Sequence, residues 1–355
     1  MLDAASLSSG IAETPMTIEL LPWHEQTWHT LQRGLAVGRL HHGLLLSGPQ
    51  GVGKRRFAAL LAQALLCRKP RAETGFACGE CPPCHWFVAG SHPDYVEVSP
   101  EKDSRYVKID QIRNLRDALM LTAQAGGRKV AVIVPADVMV INAANSLLKT
   151  LEEPPADTLL VLVSSRPQNL PATVRSRCQR VHLPAVSPEE AGEWLHRQCA
   201  REVDGQMLLS LAGGGPLRAL QFLEAGALEQ RGKAFGDFMA VRGGQLDPVG
   251  LAQQWHEAGA DEYLKSMVSW IYDAIRLKTA RQPPTLVNRD LQAGLESLSS
   301  ATDARELYSV LDMLQGTLAL ASTTINVQLQ LERILVMWSR VVAPSSVEGS
   351  VLPAS

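Results

Sequence analysis

The segment Gly48-Pro-Gln-Gly51-Val-Gly53-Lys54 follows the apolar run "HHGLLLSG" and leads into "KRRFAALLAQALL", where apolar residues recur at three- and four-residue spacing. Strand, glycine-rich turn and helix in that order is the setting in which Gly-x₄-Gly-Lys binds phosphate. Glycines let backbone N–H groups curl around phosphate oxygens, the helix N-terminus adds its positive dipole, and Lys54 supplies a point charge. Gly48, Gly51, Gly53 and Lys54 are therefore candidate nucleotide-binding residues; a glycine-rich turn without a ligand is the plainer alternative.

That reading demands a parallel sheet, and the following residues supply one. "PDYVEVSP", "RKVAVIV" and "DTLLVLVSS" predict further strands, the last two apolar throughout, as expected of strands covered on both faces. Between them, "IDQIRNLRDALML" predicts a helix capped by Asp110, and "INAANSLLKTLEE" a helix stopped by Pro154 and Pro155. From about Ser187 the pattern is helical, opening with a capping box of Ser187 and Glu190. Further helices are expected through Leu220, then over Asp261–Ala280, Asp303–Leu320 and Thr324–Val341, with "ARQPPTLVN" as a loop. The organisation so read is a leader at 1–15, an α/β P-loop parallel-sheet domain at 16–186, a small helical lid at 187–225, an all-α domain at 226–342 and a tail at 343–355.

Hydrolysis needs a hydroxyl on the loop and an acid after a second strand to hold Mg²⁺. The residue after Lys54 is Arg55, which cannot coordinate a cation. The strand "KVAVIV" should lead into an acidic pair at Val134 and Pro135, and neither is acidic. Asp137 lies beyond the expected strand end and reads as a helix cap or surface residue. Loss of a general base alone costs about 10²–10⁴-fold in rate. The loop is thus expected to permit nucleotide binding without turnover.

Cys78, Cys81 and Cys84 stand at two-residue gaps, with Cys67 upstream. Four thiolates with one C-x₂-C-x₂-C arm match a closed, structural Zn²⁺ site, with an iron–sulfur cluster as the competing metal. His85 and His92 are nearby alternative ligands. Cys178 and Cys199 read as small buried hydrophobes.

The formal net charge of −2, with 20% charged residues, rules out a strongly basic, DNA-coating surface. No apolar run is long enough to span a membrane. The first fifteen residues lack the basic and apolar regions of a signal peptide and read as a disordered leader, with Met16 as an alternative start. Clustered cysteines point to a reducing compartment, the cytoplasm.

The phosphate loop, the cysteine module, "SHPDY" at Ser91, "NSLLKTLEEPP" from Asn145 and "LPATVRSRCQ" from Leu170 together resemble bacterial clamp loader subunits of the AAA+ class, over about Leu21–Leu220. Within that class the missing acids point to the delta-prime branch of DNA polymerase III subunits rather than to ATP-hydrolysing gamma/tau. The resemblance implies that Arg177, in Ser176-Arg177-Cys178, is an arginine finger acting in trans on a neighbour's ATP site. Ser164 or Ser165 would be a nucleotide sensor, and Arg218, in "GGGPLRAL", a second phosphate sensor. It also implies a collar formed by the C-terminal helices, with Trp255, Trp270, Tyr272, Leu311, Leu314, Leu331 and Trp338 as core or collar contacts. The partners implied are gamma/tau and delta in a hetero-pentamer, the beta sliding clamp, and weakly contacted primed DNA. Two other functions fit parts of the sequence: an ATP-hydrolysing motor subunit, from the nearly complete loop with Arg218, and a zinc-organised scaffold or nucleic-acid module.

Overall fold

The computed structural model describes residues 18–102, 104–125, 127–199, 204–280, 285–320 and 326–341. The leader before Met16 and the tail after Val341 lie outside the described residues. Two compact units are present: one holds the described residues up to 199 together with 212–220, the other holds 204–211 and those from 221 onward.

The first unit runs α1 (Glu25–Ala36), β1 (Gly43–Ser47), α2 (Lys54–Leu66), α3 (Pro82–Val88), β2 (Tyr95–Val98), α4 (Ile109–Met120), β3 (Lys129–Ile133), α5 (Ile141–Glu152), β4 (Thr158–Ser164), α6 (Ala172–Arg175), β5 (Gln179–His182) and α7 (Pro188–Gln198). Its five strands form one sheet in the order β2-β3-β4-β1-β5, every pair parallel. β3 and β4 are buried along their whole length, because helices cover both faces. On one face, Ala143, Ala144, Leu147 and Leu151 of α5 meet Ile112, Leu115 and Leu119 of α4 and Leu45, Ile133, Leu160 and Leu162 of the sheet. Truncating one such leucine costs about 2–5 kcal/mol.

Several boundaries differ from those expected. Asp110 does not cap α4: the N-cap is Lys108, whose N–H donates to the Gln111 side chain at 2.9 Å, and Asp110 pairs with exposed Arg113 one turn on. β5 was not anticipated, since only Val181 of its four residues is buried. Ser187 does cap α7, its hydroxyl accepting the Glu190 N–H.

The helices continue with α8 (Gly205–Leu211), α9 (Pro216–Glu224), α10 (Ala227–Arg242), α11 (Pro248–Thr279), α12 (Gln292–Ser300), α13 (Ala304–Leu320) and α14 (Val327–Ser339). The helix expected to start at Asp261 continues back to Pro248, kinked at Gly259 and capped by Asp247. The C-terminal core centres on Trp270, Trp338 and Phe238; the last two stack at 4.3 Å, and the Trp338 indole N–H donates to Phe238 O. Trp255, Leu311, Leu314 and Leu331 are also core. Tyr272 is exposed, its hydroxyl accepting a bond from Gln315. Fully buried Asp273 accepts the Asn288 backbone N–H at 2.8 Å and its side-chain amide, fastening that loop to α11.

Candidate functional site

In a parallel sheet, ligand sites form beyond the carboxyl ends of the strands. The phosphate loop follows β1 there, Val134 and Pro135 follow β3, and Ser165 follows β4, with Ser47 and Ser164 in register. The chain therefore brings every element of its own nucleotide-site motif to one edge of the sheet.

The loop is held tightly by the rest of the chain. Lys54 is buried, and its ammonium donates to Gly48 O at 2.9 Å and to Pro49 O. Leu217 N–H donates to Gly51 O at 3.0 Å, and the Trp23 indole N–H to Val52 O at 2.9 Å. The start of α9 lies directly on the loop: a Cβ on Gly215 would stand 2.3 Å from Gln50 O, and one on Gly51 2.8 Å from the Arg218 Cβ. With φ of +78° at Gly51 as well, only glycine serves there. Arg218 extends along the loop to the Gln50 side chain. The structure thus brings Gly48, Gly51, Gly53, Lys54 and Arg218 together, the first four through the local loop and Arg218 through the start of α9. Burial lowers the Lys54 pKa to about 8, partly offset by the Asp137 carboxylate.

His24 belongs to the same cluster and was not singled out in the sequence. Its ring is buried edge-on to Phe57 at 5.2 Å, and a Cβ on Gly53 would stand 3.3 Å from its Cε1. Burial, with Lys54 and Arg56 nearby, lowers its pKa to about 4, so the imidazole is neutral at physiological pH. A lone histidine in "LPWHEQ" carries no sequence signal for this, since burial against Phe57 arises only from the tertiary fold.

The hydrolytic positions are occupied otherwise. Arg55 is ion-paired with Glu97 of β2. Asp137 is neither a helix cap nor a surface residue. Its carboxylate, 3% exposed, accepts the Ser165 N–H at 3.2 Å and pairs with Arg166, because the short 3-10 turn at Ala136–Val138 folds it back against the end of β4. The hydroxyl of buried Ser164 accepts the Arg166 N–H at 3.1 Å, so the polar groups of both serines build this turn.

Arg177 lies at the opposite edge of the sheet. It precedes β5, and its carbonyl would be 3.3 Å from a Cβ on Gly43, the first residue of β1. The loop follows the other end of β1, five residues or roughly 16 Å away. Its neighbour Cys178 is buried, with its thiol pKa pushed up to about 11 by burial, and anchors the turn, while Ser176 faces solvent. The Arg177 guanidinium, 37% exposed, donates to Thr173 O at 3.0 Å and pairs with Glu152 at 2.6 Å.

The cysteines close a third site. Cys67 caps the C-terminus of α2, Cys81 precedes α3 and Cys84 lies within it. Their sulfurs and that of Cys78 lie within 4.8 Å of one another, with Cys67–Cys78 and Cys81–Cys84 at 3.5 Å, Cys67–Cys81 at 3.8 Å and Cys78–Cys84 at 3.9 Å. A tetrahedron of thiolates around a metal 2.3 Å from each has edges of about 3.8 Å. N–H groups of Glu80 and Cys81 point at the Cys78 sulfur and lower its pKa to about 6, favouring the thiolate. His85 is exposed, and His92 Nδ1 accepts the Asp94 N–H, so neither joins the cluster.

Residues 23–187 match the family described as "DNA polymerase III, delta subunit", and residues 225–340 match "DNA polymerase III, delta subunit, C terminal". The delta-prime subunit of DNA polymerase III from Pseudomonas aeruginosa is 34% identical over 332 residues, covering 92% of this chain and 99% of that protein. The chain belongs to the DNA polymerase III delta-prime family. The Haemophilus influenzae delta-prime subunit is 31% identical, over 88% of this chain and 94% of its own length. The tau subunit of Salmonella typhimurium is 32% identical over 79% of this chain but only 41% of tau.

In this delta-prime family member, "SHPDY" has a structural use. Buried Asp94 accepts the N–H groups of Gln124 and Ala125, both at 2.8 Å, and so fixes the loop between α4 and β3.

Proposed function

We propose that this chain is the non-hydrolysing delta-prime subunit of a clamp loader, which helps load the beta sliding clamp onto primed DNA and donates Arg177 to the ATP site of a neighbouring gamma/tau subunit. The observation that carries this reading is the separation of Arg177 from the chain's own phosphate loop by the length of β1. A guanidinium at the far edge of the sheet cannot reach a nucleotide on its own loop, but it can face one on an adjoining subunit. There it would stabilise charge developing on the γ-phosphate, which elsewhere accelerates transfer by about 10³–10⁵.

The chain's own loop supports binding but not turnover. Lys54 and Arg218 supply charge for phosphates, while Arg55, Val134 and Pro135 leave Mg²⁺ without its usual ligands. Cys67, Cys78, Cys81 and Cys84 would hold a structural zinc that ties α2 to α3. The assembly is read as a hetero-pentamer with gamma/tau and delta, joined through the C-terminal helices as a collar, with direct but weak contact to DNA and a cytoplasmic location. No described helix is long and apolar enough to cross a membrane.

The test is ATP turnover by the purified chain alone, followed by its assembly with gamma/tau and delta on gel filtration. No turnover with stoichiometric assembly is expected. Turnover abolished by Lys54→Ala would make the chain a motor subunit instead.

A further inference from the structure

We propose that Glu152 is the positioning residue for Arg177, an inference that rests on the arginine-donor reading above. Glu152 ends α5 and Arg177 ends the turn after α6, and both meet beside the start of β1. Two residues at the entry to β1 hold these ends: His42 the end of α5, and Gly43 both segments. The His42 ring bonds Leu151 O through Nε2 at 2.8 Å, holding the last turn of α5. Gly43 lies beneath both: a Cβ there would stand 3.0 Å from Leu151 Cδ2 and 3.3 Å from Arg177 O. Pro154 and Pro155 stop the helix just beyond, and Cys178 is sunk in the core on the other side. The carboxylate is thus presented to the guanidinium from a fixed backbone.

A guanidinium has five N–H donors. Thr173 O takes one from Nη1, and the Glu152 carboxylate is ion-paired with Nη2 at 2.6 Å. An arginine on a surface turn samples many rotamers, and ordering it at the moment of reaction costs entropy. One hydrogen bond and one ion pair, at the two terminal nitrogens, bias the plane of the fork beforehand and leave donors for phosphate oxygens. The pair is half-exposed, at 37% and 49%, and pairs of this kind are weak; it biases the rotamer without trapping it.

The experiment uses assemblies of this chain with gamma/tau, delta, the sliding clamp and primed DNA, in wild-type, Glu152→Ala, Glu152→Gln and Arg177→Ala forms matched for assembly. DNA-stimulated turnover is measured across ATP concentrations. Glu152→Ala is expected to lower kcat by about three- to tenfold with KM unchanged, the signature of a misplaced catalytic group. Glu152→Gln, which keeps an acceptor and the same shape, should restore most of the loss. Glu152→Ala should add nothing in an Arg177→Ala background. A large loss with Arg177→Ala beside wild-type or raised kcat in both Glu152 variants overturns the positioning role. No loss with Arg177→Ala overturns the arginine-donor reading itself.

Discussion

Arg55, the second residue of α2, is ion-paired with Glu97 on β2, so the side chain in the magnesium-ligand position of the phosphate loop is turned toward a neighbouring strand. Replacing it alone should not create an ATPase, because Val134 and Pro135 still supply no acid. Arg55→Thr is expected to leave phosphate release by the isolated chain at background, with any turnover appearing only when Val134→Asp and Pro135→Glu are added. Turnover by Arg55→Thr alone would show that another group serves as metal ligand and base.

The four cysteines predict one tightly held zinc per chain and a colourless protein; visible charge-transfer absorption would indicate an iron–sulfur cluster instead. Removing the metal, or Cys81→Ser, should speed amide exchange over residues 67–90 while leaving the sheet protected, because the cluster joins α2 to α3 at the periphery. Faster exchange across β3 and β4 would mean that the metal organises the whole unit.

His24 predicts a specific pH dependence. Its folded pKa, near 4, lies below the ordinary 6.5, so between those values the unfolded chain binds a proton that the fold refuses. Its contribution is fully present above about pH 6.5 and is lost as pH falls toward 4, at up to about 1.4 kcal/mol per pH unit. Urea midpoints taken from pH 7 to pH 4.5 should decline less steeply for His24→Leu than for the wild type. Parallel declines would place the acid sensitivity elsewhere.

Asp94→Ala should destabilise the first unit by about 3 kcal/mol, since two backbone N–H groups lose a charged acceptor in a buried place. Asp94→Asn, retaining one acceptor, should cost less. Equal midpoints for wild type and Asp94→Ala in urea would show that Asp94 does not hold the Gln124 and Ala125 N–H groups.

The sheet and the phosphate loop were legible because each rests on local pattern: unbroken apolar strands, glycines at fixed offsets, and Lys54 at a helix start. The cysteine site was legible for the same reason, and its longer gap before Cys78 is explained by the end of α2, which brings Cys67 alongside the other thiols. β5 escaped notice because one buried residue in four makes no periodic signal. The buried roles of Asp137 and His24, and the pairing of Glu152 with Arg177, depend on contacts between segments far apart in sequence. Asp110 looked like a cap because acids favour helix starts, yet the same preference holds one or two residues inside the helix, where it lies.

The donation of Arg177 to a neighbouring site is tested by DNA-stimulated ATP turnover of the reconstituted clamp loader carrying either the wild-type chain or Arg177→Ala, once equal assembly is confirmed. An inert isolated chain is expected, with turnover at the adjoining site lowered at least about tenfold by Arg177→Ala. Equal turnover by the two assemblies would contradict that donation, and would leave Arg177 a surface residue in a subunit that acts only as scaffold.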